Sequence, residues 1–70
     1  MSIKAITWFE IEAACPEIMF YLLQLGSVRS LVINPWYLYE QAKHDLIPLI
    51  PDRPGAYGLV MQEVIRRLKL

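Results

Sequence analysis

Cys15, His44 and Asp45 carry the most intrinsic chemistry in this 70-residue chain, since a thiol beside an imidazole can form a nucleophile–base pair. Cys15 is the only cysteine and His44 the only histidine, and no flanking signature marks them as partners. Cys15 precedes Pro16 among apolar residues, the setting of a packed or turn cysteine. His44 and Asp45 are adjacent in sequence, and neighbours on a helix do not face each other. Glu10 and Glu12 fall on different faces of a helix. On a strand they would share one face, yet nothing there distinguishes a general acid from a general base. No catalytic residue is assigned, and the chain reads as a non-enzyme. One Cys and one His make no zinc cluster, so no metal is expected. Gly26, Gly55 and Gly58 form no phosphate-cradling loop, and neither Gly-x-Gly-x-x-Gly nor a Walker A pattern occurs. No cofactor is expected.

Seven acidic and seven basic residues give a formal net charge of zero. Nucleic-acid binding depends on clustered cations that neutralise phosphates, so no nucleic-acid partner is expected. The basic group Arg66-Arg67-Lys69 reads instead as cations placed favourably at a helix C-terminus. Leu22, Gly26 and Val32 do fall at helix-turn-helix offsets. The second helix of such a motif would hold Arg29, Leu31 and Val32 before Pro35, one cation for a groove that needs several. A small helix-turn-helix regulator is therefore the alternative reading, together with a virion-assembly or chaperone component. Trp8, Glu10 and Glu12 interrupt any signal-like region, and no apolar run approaches the roughly 18–20 residues of a membrane span. The expectation is a cytoplasmic protein that does not insert in a membrane.

The elements that would position these residues are strongly apolar. Apolar side chains make up 56% of the chain, including the run Ile18-Met19-Phe20-Tyr21-Leu22-Leu23. A chain of this size buries only about 60% of its unfolded surface. With no disulfide or metal available, self-association is the remaining way to cover the rest. A homodimer or an obligate partner follows.

Thr7-Trp8-Phe9-Glu10 has capping-box spacing and predicts a helix over Thr7 to Ala14. The alternation Ile3, Ala5, Thr7, Phe9, Ile11 also fits a strand. Pro16 opens a second helix, with Glu17 at its positive end and Gly26 as the natural C-cap. Residues 28–33 read as a short extended segment, or as a helix capped by Ser27. Asn34-Pro35 is N-cap plus first helical position, starting a helix through Trp36, Tyr39, Ala42 and Leu46 that ends before Pro48. A last helix begins near Pro54 to Ala56, with Tyr57, Val60 or Met61, Val64 and Leu68 as its stripe. The whole is one all-α domain, 1–70, a small bundle of three to four short helices that is homodimeric.

Trp36-Tyr37-Leu38-Tyr39 cannot all face one small core, and Trp8-Phe9 poses the same problem. Tyr, Trp and Arg dominate binding hot spots, so Arg29, Trp36, Tyr37 and Tyr39 are the expected partner-binding residues. Tyr39→Ala is expected to abolish binding and leave the fold intact. Phe20, Tyr57, Val60, Val64 and Leu68 are the expected dimer interface.

Short, charge-balanced, apolar-rich helical chains of this kind resemble phage-encoded inhibitors that bind and disable host proteins. In its size, its helical reading and its Trp36 to Tyr39 segment, the chain resembles the anti-activator proteins of Pseudomonas phages. That resemblance implies a small helical dimer acting in the cytoplasm of an infected bacterium. It also implies the partner class, a LuxR-type quorum-sensing activator and, in some cases, the type IV pilus assembly ATPase. No functional residue is carried over from it.

Overall fold

A computed structural model describes residues 5–70, so Ile3 of the alternating pattern lies outside the described residues. Four α-helices follow in order: α1, Trp8–Ala14; α2, Pro16–Arg29; α3, Pro35–Leu46; and α4, Ala56–Leu68. A 3₁₀ turn, Ile47–Leu49, extends α3. There is no strand among the described residues, and the all-α reading holds.

The strand alternative for the first segment loses to its cap. Thr7 Oγ1 accepts from the Glu10 amide at 3.3 Å, and Glu10 Oε1 accepts from the Thr7 amide at 3.3 Å. Two amides that would otherwise be unsatisfied are thereby engaged. Ile6 and Ile11 occupy the staple positions around this cap, and both are buried.

Two local expectations are corrected. Gly26 does not end α2, which runs three residues further to Arg29. Among the described glycines only Gly55 has positive φ, at 86°, the conformation a glycine cap requires. The extra turn is held from outside the helix: Leu25 is buried, and Arg29 Nε donates to the Leu68 carbonyl at 2.8 Å. Residues 28–33 are therefore not an extended strand. They are the end of α2 followed by a turn, with the Leu31 amide donating to the Val28 carbonyl at 2.9 Å. The helix-turn-helix offsets fail with this correction, because Gly26 is helical and no helix covers Leu31 and Val32. The Asn34 cap forms as expected, its side chain accepting from the Trp36 amide at 3.1 Å.

The helix α4 packs on both α2 and α3, and α1 packs on α2. The core is drawn from Ile18, Leu22 and Leu25 of α2, Leu38, Ala42 and Leu46 of α3, and Ala56, Val60, Met61, Val64 and Leu68 of α4. No polar or charged residue is buried among the described residues. The molecule measures 46 × 19 × 17 Å, with a radius of gyration of 12.6 Å, against about 11 Å for a compact chain of this length.

Candidate functional site

The residues with chemical potential are engaged separately. Cys15 Sγ donates to Glu17 Oε2 at 3.0 Å. That bond, with partial burial, pushes the thiol pKa up, the reverse of nucleophile activation. His44 is exposed, with Nδ1 at 3.7 Å from its neighbour Asp45. Asp45 also accepts from the Tyr21 hydroxyl at 2.7 Å and from Gln41 Nε2 at 3.1 Å, tying α3 to α2. Burial first, then this bond, raises the Tyr21 hydroxyl pKa, while the bond from Tyr21 lowers that of Asp45. These contacts favour the protonated forms of Cys15 and Tyr21 and the ionised form of Asp45. Among the described residues no cluster of His, Cys, Asp or Glu is placed to hold a metal.

The expected dimer residues divide sharply. Val60, Val64 and Leu68 are completely buried inside the chain's own core, so this stripe is a pairing face used within one molecule. It is not available as a dimer surface. Phe20 and Tyr57 remain exposed. The α4 cations are partly spent as well, since Glu63 accepts from Arg66 Nε at 3.1 Å and from Arg67 Nε at 2.9 Å.

The expected partner-binding residues divide too. Arg29 is half-buried and fixed to the Leu68 carbonyl, a tie between helix ends. Tyr39 is half-buried and packed against the core, which removes the expectation that Tyr39→Ala leaves the fold intact. Trp36 stands edge-on to Tyr39 at 5.6 Å between ring centroids and 75° between planes, with its own surface mostly open. Tyr37 is 67% exposed.

Two residues that sequence reasoning missed complete this corner. Leu31 is 82% exposed, and Ile33 has no cover at all. Ile33 precedes the Asn34 cap, where an apolar residue ordinarily staples to the fourth helical position, here Leu38. The signal was present in Ile33-Asn34-Pro35: a residue just outside an Asn-Pro cap belongs to neither helix. Residues 30–39 contain no charged side chain. Leu31, Ile33, Trp36 and Tyr37 therefore form an uncharged apolar corner at the α2–α3 junction. A cleft of about 210 Å³, lined by Tyr21, Gln24, Leu25, Val28 and Leu38, lies between the same two helices.

Among the described residues, no helix is long and apolar enough to cross a membrane. Compared with family models, curated proteins and solved structures, the chain matches none.

Proposed function

We propose that this chain is a non-enzymatic protein-binding inhibitor that seats its uncharged corner on an apolar surface of another protein and occludes it. The observation that carries this reading is the exposure of Leu31, Ile33, Trp36 and Tyr37 together, in a segment without charge. Ordering such side chains against water has no benefit to a monomer, whereas burial in an interface gains about 25 cal/mol for each Å² of apolar area. Trp36 and Tyr37 supply large contact area with little rotamer loss. The two protein classes implied by the resemblance, a LuxR-type quorum-sensing activator and the type IV pilus assembly ATPase, are the targets to test.

The experiment is calorimetric titration of each purified target with the wild-type chain and with Ile33→Asp. Binding that weakens at least tenfold in Ile33→Asp, with an unchanged circular dichroism spectrum, supports the reading. Failure of both targets to bind removes the proposed targets. Equal binding by wild type and Ile33→Asp removes the corner as the site.

A further inference from the structure

The cleft between α2 and α3 has a defined size, lining and polarity. Its volume is about 210 Å³, and Tyr21, Gln24, Leu25, Val28 and Leu38 line it. Leu25 and Leu38 are buried core residues and form its floor. A pocket for a drug-sized molecule takes about 300–1,000 Å³, whereas an apolar cavity of about 150 Å³ admits one benzene ring. The space therefore suits one large apolar side chain. Within it only the Gln24 amide and the Tyr21 hydroxyl are polar, and the hydroxyl already donates to Asp45 at 2.7 Å. That bond ties the two walls together before anything enters, which lowers the cost of binding.

Charge gives the groove a direction. Glu17, Tyr21, Gln24 and Val28 follow one another along one flank of α2, and Tyr37, Gln41 and Asp45 along one flank of α3. Asp45 reaches Tyr21, so these two flanks meet. Glu17 lies seven residues before Gln24, and Asp45 seven residues after Leu38. On either helix that is about 10.5 Å. The bonds from Cys15 to Glu17 and from Tyr21 to Asp45 favour both ionised carboxylates. Among the described residues no Lys or Arg pairs with either. The opposite end, at Val28, Leu31 and Tyr37, is uncharged.

We propose that this groove takes an amphipathic helix of the partner protein, which seats one large apolar side chain in the cleft and sets a Lys or Arg two turns away against Glu17 and Asp45. This partner chemistry rests on the reading that the chain binds another protein. Capture of an extended segment by strand addition needs an open sheet edge, and the described residues contain no strand. A helix in a groove is held instead by anchors at i, i+3, i+4 and i+7. The last of these spacings is the one that separates the cleft from the two carboxylates.

Magnetic-resonance titration of the full, isotope-labelled chain with stapled Ala/Gln helices of about 15 residues tests it. Two peptides carry a Phe and an Arg seven positions before or after it; controls carry Glu for the Arg, or Ala for the Phe. One order of Phe and Arg should bind, shifting the amides of Leu25, Val28 and Leu38 more than those of Phe20 and Leu23. Glu for Arg should weaken binding at least fivefold at low salt. That difference should shrink at about 1 M salt, where charges are screened beyond about 3 Å. Ala for Phe should abolish binding. Val28→Phe, which fills the cleft from its rim, should weaken binding at least tenfold with an unchanged circular dichroism spectrum. Glu17→Gln with Asp45→Asn, which keeps an oxygen for the Tyr21 hydroxyl, should erase the preference for Arg over Glu. No binding by either order at millimolar peptide overturns the proposal. So does a preference for Arg that survives the double variant, or shifts spread evenly over Phe20, Leu23 and the cleft. Shifts of Leu25 and Leu38 that grow with protein concentration alone give the cleft to a second copy and overturn it too. Ile33→Asp should bind the peptide like wild type, so failure of the groove and failure of the corner are separately visible.

Discussion

At the scale of single residues, neighbours of the same type do different work. Tyr39 packs on the core and braces Trp36, whereas Tyr37 stands clear of it. Tyr39→Ala should therefore destabilise the fold by about 2–3 kcal/mol, the lower range for removing a buried large side chain. Tyr37→Ala should cost less than about 0.5 kcal/mol, as surface substitutions do, and weaken partner binding. Urea denaturation of both variants checks the contrast. Glu63 makes a second prediction. Its bonds from Arg66 and Arg67 outweigh partial burial and hold its carboxyl pKa at about 2, from an ordinary 4.5. The ionised form stabilises the fold above about pH 4.5, and this contribution is lost as pH falls towards 2. For a surface cluster the magnitude is on the order of 1 kcal/mol. Glu63→Gln should lower stability at pH 7 and flatten its decline between pH 4.5 and 2, read from thermal melts.

At the scale of elements, caps were legible in the sequence and helix ends held from elsewhere were not. Thr7–Glu10 and Asn34-Pro35 act through neighbours in the chain, so spacing alone reveals them. The end of α2 depends on Arg29 reaching Leu68, thirty-nine residues away. Gly26 and Gly55 have the same side chain and opposite roles. Gly26 is helical with open space around it, so Gly26→Ala should stabilise the fold by about 0.5–1 kcal/mol. Gly55 has a φ of 86° just before α4, and Gly55→Ala should destabilise by about 1 kcal/mol or more through backbone strain. Thermal melts should show the two variants moving in opposite directions.

At the scale of the whole molecule, three layers of apolar residue coexist in one short chain. One is the core, shared by α2, α3 and α4. The others are the corner at 31–37 and the outer face of α2. A chain of this length has about 3–10 kcal/mol of total stability, so the layers should respond very differently to truncation. Leu22→Ala should cost about 2–5 kcal/mol, a large share of that total. Phe20→Ala, on the opposite face of the same helix, should leave stability within about 1 kcal/mol. Equilibrium urea unfolding of dilute protein separates them. The elongated shape, 46 Å against 19 and 17 Å, keeps these surfaces exposed in one copy.

The sequence by itself determined the helices, because capping residues, proline positions and the 3.6-residue apolar period act over distances of one to two turns. It also determined that apolar surface must be left over, since that follows from chain length and composition alone. Which residues are left over was decided only by the tertiary structure. Val60, Val64 and Leu68 have the spacing of an exposed pairing face, and α2 and α3 close over them instead. Arg29 and Tyr39 have the chemistry of binding hot spots and are held by contacts with α4 and the core. Leu31 and Ile33 have the chemistry of core residues and stand in solvent, because the turn between α2 and α3 leaves them uncovered. Burial is a property of where the chain returns in space, and local pattern records only which residues favour it.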